Sequence, residues 1–202
     1  MISIKSKHEI ELMQESGRIV ALAHEKIREA IKPGITTGEL DQIAEDLITA
    51  QGAVPSFKGY GGFPAAICAS INDQVIHGIP GSITLKEGDI ISVDIGALKN
   101  GYHADAARTH PVGKVSEKAL KLIKVTEESF FEGLKFCRVG YRLSDVSNAI
   151  QKYAEAMALG SYVNMLDMAL EESFTKHLQF QIMDLQEEDL DSKREWSLPS
   201  NQ

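Results

Sequence analysis

The chain has 202 residues, of which 43% are hydrophobic and 25% charged, with a formal net charge of −8. This composition supplies enough apolar material for a core and excludes wholesale disorder, and the negative charge argues against a nucleic-acid-binding surface spread over the chain. The sequence has no long apolar run and begins with a charged stretch unlike a signal peptide, so we expect a cytoplasmic protein with no membrane partner.

Two helices are predicted at the N-terminus. Residues 5–31 carry apolar side chains at helical spacing, and the Pro-Gly pair at 33–34 ends that helix. Thr36 and Glu39 form a capping-box pattern, which predicts the start of a second helix.

Strands and then two further helices are predicted in the rest of the chain. Residues 55–113 are rich in glycine, proline and short β-type runs. The order of helices, strands and helices predicts an α+β fold with helices on one face of an antiparallel sheet. The predicted strands are 65–70, 90–95 and 102–107, and the later helices are 116–137 and 143–156.

A weak internal repeat relates residues 31–40 to residues 137–146. In both segments a helix ends at glycine, and five residues later an acidic residue precedes an aliphatic one that starts the next helix. This pattern is compatible with a two-fold repeat of a helix pair and a sheet.

A predicted β-hairpin brings two acidic residues onto one face. Asn100-Gly101 is the preferred centre of a two-residue type I′ turn, which places Asp94 opposite Ala107. Asp105 then becomes the diagonal neighbour of Asp94, and such side chains lie roughly 5.5–8 Å apart. A bulge in the hairpin would change this geometry.

Two acidic residues on a hairpin are more often solvated surface than a metal site. Asp94, however, lies within the apolar run 90–95, which predicts a buried strand, and a buried carboxylate must be paired, ligated or protonated. Asp94 and Asp105 are therefore candidate ligands for one or two divalent cations.

Several other side chains have both a structural and a functional interpretation. His77 is either a satisfied core histidine or a functional residue in a loop at a strand end. Tyr60, Phe63 and Cys68 either belong to the core or line a pocket for one apolar side chain. The other histidines carry no functional signal in the sequence: His8, His24, His103, His110 and His177.

The chain resembles the type I methionine aminopeptidases, and residues 1–155 fit throughout. The segments that carry the resemblance are 59–73, 75–80, 88–96 and 100–105. The resemblance implies the pita-bread α+β fold with a pseudo-two-fold repeat, incomplete here at the C-terminus. It also implies a pair of divalent cations (Co, Mn, Fe or Zn) and removal of the initiator methionine from nascent proteins. A monomer that acts near the ribosome is the corresponding expectation.

The resemblance also assigns roles to the candidate residues. It implies that Asp94 and Asp105 are metal ligands and that His77 contacts substrate. The implied wall of the methionine pocket is Tyr60, Phe63 and Cys68.

Residues 156–202 depart from the family pattern. They carry 9 acidic and 3 basic side chains and contain a single glycine, Gly160. They lack the family's Gly-His-Gly-x-Gly, Leu-His-Glu and Ile-Glu-Pro motifs, which supply the remaining metal ligands and the proton-transferring glutamate. We therefore assign no catalytic residue and expect the 202-residue chain to be inactive or nearly so.

A shifted reading frame accounts for this tail. New codons can be built from the third base of one residue's codon and the first two bases of the next residue's codon. In this frame, the pair Met157-Ala158 forces Gly and the pair Asp167-Met168 allows His. Read in this way, the tail permits Tyr-Val-Gly-His-Gly, His-Glu and Ile-Glu-Pro in order. The sequence thus predicts an aminopeptidase segment at 1–155 and an aberrant, out-of-frame tail at 156–202.

Two other functions are open. The chain is alternatively a non-catalytic remnant that binds peptide N-termini or a protein partner. A related Xaa-Pro hydrolase of the same fold is the third hypothesis, although residues 60–72 favour methionine specificity.

Overall fold

The computed structural model describes residues 4–157. These form two compact units, one of residues 11–120 and one of residues 4–10 and 121–157. The predictions for the tail from residue 158 onward lie outside the described residues. The elements are α1 (Lys7–Ala30), α2 (Thr37–Ala50), β1 (Val54–Pro55), a 3-10 turn (Tyr60–Gly62), β2 (Ile67–Ile71), β3 (Ile90–Lys99), β4 (Tyr102–Pro111), α3 (Glu117–Leu134) and α4 (Leu143–Ala156).

The strands form one antiparallel sheet, as predicted. β4 pairs with one edge of β3 along its full length, while β1 and β2 share the other edge. The prediction of strands at 90–95 and 102–107 was too short, because the ladder between β3 and β4 continues without interruption to the turn.

The turn of this hairpin has the predicted geometry. Asn100 has φ 52° and Gly101 has φ 85°, the positive values that a type I′ turn requires. The register places Lys99 opposite Tyr102 and contains no bulge. The two-residue connection therefore determines which residues of β3 and β4 face each other.

The core lies against one face of this sheet. Ile91, Val93 and Ile95 are fully buried, whereas Ser92 and Asp94 between them are only half-buried. The prediction of a buried strand at 90–95 holds for this face, while Asp94 lies on the other, half-buried face. The strand alternates, and its second face carries polar side chains.

Helix α2 begins as the capping pattern predicts. The Thr36 N–H donates to Glu39 Oε2 at 2.8 Å, and the Glu39 N–H donates to Thr36 Oγ1 at 3.2 Å. Leu40, Ala44 and Ile48 are fully buried on one side of the helix. Burial of this apolar stripe, more than intrinsic helix propensity, stabilises α2.

The internal repeat is visible in the local geometry of both units. Gly34 before α2 and Gly140 before α4 have φ of 96° and 97°. At the start of α4, the Arg142 N–H donates to Asp145 Oδ2 at 2.8 Å, which corresponds to the bond from the Thr36 N–H to Glu39 in α2. Both helices have 14 residues.

In the smaller unit, α3 and α4 approach closely at Gly133. A Cβ atom at this position would lie 2.6 Å from Ile150 Cγ1, so only glycine allows the observed packing. Cys137 packs against Val146 and Ile150 as a free thiol, and burial raises its pKa to about 11. Neither Cys68 nor Cys137 forms a disulfide.

Within residues 4–157, no helix combines the length and hydropathy of a bilayer-spanning segment.

Candidate metal and substrate site

Asp94 and Asp105 lie on the polar face of the β3–β4 hairpin. Asp94 is opposite Ala107, and Asp105 is opposite Gly96, so the two carboxylates are diagonal neighbours as predicted. Both residues are half-buried, and Oδ1 of each is inaccessible to solvent. The predicted register is confirmed, and the metal-binding role stays a prediction.

Cys68 extends this face onto β2. It lies directly opposite Asp94 and is 6% exposed. The next row of the same face carries hydroxyl groups, with Ser92 Oγ and Thr109 Oγ1 hydrogen-bonded at 2.7 Å. The face therefore carries carboxylate and hydroxyl oxygens together with one buried thiol.

His77 lies in an exposed loop that is anchored beside β2. Its φ of 57° is unusual for a residue other than glycine, and strain of this kind is more frequent at functional sites. The next residue, Gly78, donates its N–H to Ser70 Oγ at 3.1 Å and accepts from the Ala69 N–H at 2.8 Å. His77 therefore lies in the predicted loop and not in the core, and its contact with substrate stays a prediction.

Tyr60 and Phe63 lie in the turn that precedes β2. Tyr60 is 83% exposed and Phe63 is half-buried, and the Phe63 N–H donates to Tyr60 O at 2.9 Å. The described residues therefore leave the ring of Tyr60 largely open to solvent. Its role as a pocket wall stays a prediction.

Phe57 is a residue of this face that the sequence analysis missed. A Cβ atom at Gly96 would lie 2.8 Å from Phe57 Cε1, so the ring covers the backbone directly opposite Asp105. Phe57 lies in a loop with other aromatic residues, and no pattern in the sequence distinguishes it from them. A glycine inside a predicted strand is the signal that could have indicated the close approach.

The donor set fits part of a divalent-cation site. Carboxylate oxygens are the ligands that hard divalent cations prefer. In the described part of the chain, however, no three His, Cys, Asp or Glu side chains come together as a ligand group. Asp94 and Asp105 would supply two of the protein ligands of such a site, and this role stays a prediction.

Comparison with known proteins identifies the family. The profile of metallopeptidase family M24 matches residues 11–188. Methionine aminopeptidase 1 of Bacillus subtilis is 58% identical over 155 residues, and methionine aminopeptidase of Clostridium perfringens is 56% identical over 156. Each alignment covers 77% of this chain but only 62% and 63% of the relative, so the chain spans less than two thirds of their length.

Solved structures agree with the sequence matches. Methionine aminopeptidase from Thermotoga maritima superimposes with a TM-score of 0.76 at 41% identity, covering 77% of this chain and 63% of that one. Prolidase from Pyrococcus furiosus shares the fold, with a TM-score of 0.70 at 24% identity over 79% of this chain and 46% of that one. The α+β architecture is therefore the pita-bread fold, present in part. The chain belongs to metallopeptidase family M24 and corresponds to a segment of the type I methionine aminopeptidases.

Proposed function

We propose that the site takes part in removal of N-terminal methionine from nascent proteins by a two-metal hydrolase. The observation that carries this proposal is the placement of Asp94 and Asp105 on one face beside Cys68, in a chain whose relatives are named methionine aminopeptidases. The prolidase shares only the fold at 24% identity, which favours methionine over Xaa-Pro substrates.

In this proposal each residue acts on the substrate or on the cations. Asp94 and Asp105 would help to hold two divalent cations, which when bound would supply Lewis acidity toward the scissile carbonyl and an attacking water. His77 contacts the peptide from its anchored loop, and Tyr60 and Phe63 face the methionine side chain across from Cys68. In a protein with the reading frame restored, the reaction would take place in the cytoplasm on a free N-terminus, with the protein as a monomer.

We further propose that the 202-residue chain is inactive because residues 156–202 are out of frame. The test compares this chain with a variant in which one base is inserted or removed within the codons for residues 150–160. Turnover of a Met-Ala peptide with added Mn²⁺ should be on the order of a thousandfold higher in the restored variant. Comparable turnover by both proteins would overturn the proposal. Peptide binding without turnover in either protein would favour the non-catalytic remnant.

Metal binding by the chain itself provides a second prediction. Two carboxylates that no third ligand joins within residues 4–157 should bind Mn²⁺ with a dissociation constant of about 0.1–1 mM. Asp105→Asn removes one of the two charges and should weaken binding by about tenfold or more, as measured by calorimetry. Asp73→Asn changes an exposed carboxylate away from this face and serves as the matched control. Equal affinities for the two variants would contradict the assignment.

A further inference from the structure

Ser56 connects the chain after β1 to both strands of the acidic hairpin. Its N–H donates to Gly96 O in β3 at 2.9 Å. Its Oγ is hydrogen-bonded to His103 Nδ1 in β4 at 2.8 Å. One serine therefore joins the loop to both strands, and its contact with β4 is made through His103.

His103 belongs to the same face as the acidic pair. It precedes Asp105 by two residues on β4, so both side chains project to one side of the sheet. Ser56 is followed directly by Phe57, whose ring covers Gly96 opposite Asp105. Ser56 is the first residue of the segment 56–63, so its two hydrogen bonds hold the start of that segment next to the face with the carboxylates.

The segment 56–63 is closed by a hydrogen bond within its own backbone, and the chain that follows it is held by Asp41. The Gly59 N–H donates to Phe63 O at 2.8 Å. Asp41 Oδ1 accepts from the N–H groups of Ala66 and Ile67 at 2.8 and 3.0 Å. The segment 56–63 is therefore a small closed loop held at both ends, with a further attachment between them where Lys58 Nζ donates to Glu45 Oε1 at 2.6 Å. The Ser56–His103 pair is the attachment next to the acidic face.

We propose that His103 is a positioning residue, which through Ser56 holds the segment 56–63 over the face that carries Asp94 and Asp105. The functional meaning of this position rests on the proposed function, in which the segment contacts the N-terminal methionine. In this proposal His103 acts through Ser56 and not directly on the cations or the peptide. Loss of its ring should therefore loosen the segment and leave the carboxylates in place.

Hydrogen exchange of the full chain, followed by NMR or mass spectrometry, tests the positioning role directly. In His103→Ala, the amides of Ser56, Gly59 and Phe63 should exchange about fivefold faster, the usual effect of one lost hydrogen bond. The amides of Ala69 and Gly78 provide the internal reference and should not change. Ser56→Ala should reproduce the effect, whereas Ser56→Thr keeps the hydroxyl and should preserve protection. Unchanged exchange at 56–63, or faster exchange throughout the sheet, would overturn the proposal.

Binding experiments test the functional consequence. By calorimetry, His103→Ala should weaken binding of the tripeptide Met-Ala-Ser by about fivefold, with Mn²⁺ affinity unchanged within about twofold. An unchanged peptide affinity despite faster exchange would overturn the link between the segment and the substrate. Failure of the unaltered chain to bind the tripeptide would contradict the proposed pocket, while the exchange result would still decide the role of His103.

Discussion

Gly78→Ala should destabilise the protein by about 3 kcal/mol, because the new Cβ has no space. It would overlap the carbonyl oxygen of Ala69 and lie 2.7 Å from the carbonyl carbon. These are backbone atoms of β2, so no side-chain rotation relieves the clash. The hydrogen bonds from the Ala69 N–H and to Ser70 Oγ, which anchor the loop carrying His77, would have to lengthen or break.

The measurement is the free energy of unfolding from denaturant titration. Gly81→Ala is a matched control in the same loop, because a Cβ at Gly81 meets no atom within 4 Å and the residue does not require a positive φ. The control should change stability by about 0.5 kcal/mol or less. Equal stabilities of the two variants would show that the loop does not pack against β2 in this way.

Acid should destabilise the protein through His110. The pKa of this histidine is lowered from 6.5 to about 4, first by burial and then by the nearby charges of Arg108 and Arg28, with partial opposition from Glu25. The residue is 8% exposed, and its Nε2 meets no hydrogen-bond partner among residues 4–157. The folded state therefore keeps the ring neutral under conditions in which the unfolded chain is protonated.

The sign follows from proton linkage. Between pH 6.5 and about 4 the unfolded state binds more protons at this site, so stability is retained above pH 6.5 and is lost as the pH falls. The full loss from this residue is about 3 kcal/mol. His110→Phe removes the titration and should flatten the dependence of the unfolding free energy on pH over this window. Parallel pH curves for the variant and the unaltered chain would contradict the role of His110.

The local structure of this protein follows closely from the sequence. The capping pair Thr36 and Glu39 and the turn Asn100-Gly101 specify backbone geometry within a few residues, and the structure has both. Since the turn determines the register, the diagonal placement of Asp94 and Asp105 could also be derived. The family motifs then indicated the aminopeptidase resemblance that the comparisons confirm.

Contacts between distant segments could not be derived in the same way. Neither Phe57 over Gly96 nor the pairing of Ser56 with His103 leaves a local pattern, since 47 positions separate the partners of the second contact. The burial of His110 likewise depends on the packing of the sheet, and nothing in its neighbours along the chain indicates it.

The sequence by itself determined the helices, the hairpin register and the two carboxylates, because capping, turn type and side-chain alternation act over a few residues. Only the tertiary structure decided which aromatic ring covers the acidic face, which loop anchors His77 and which histidine is held neutral. Those properties depend on desolvation and close packing between segments that are far apart in the chain, and no local pattern encodes either.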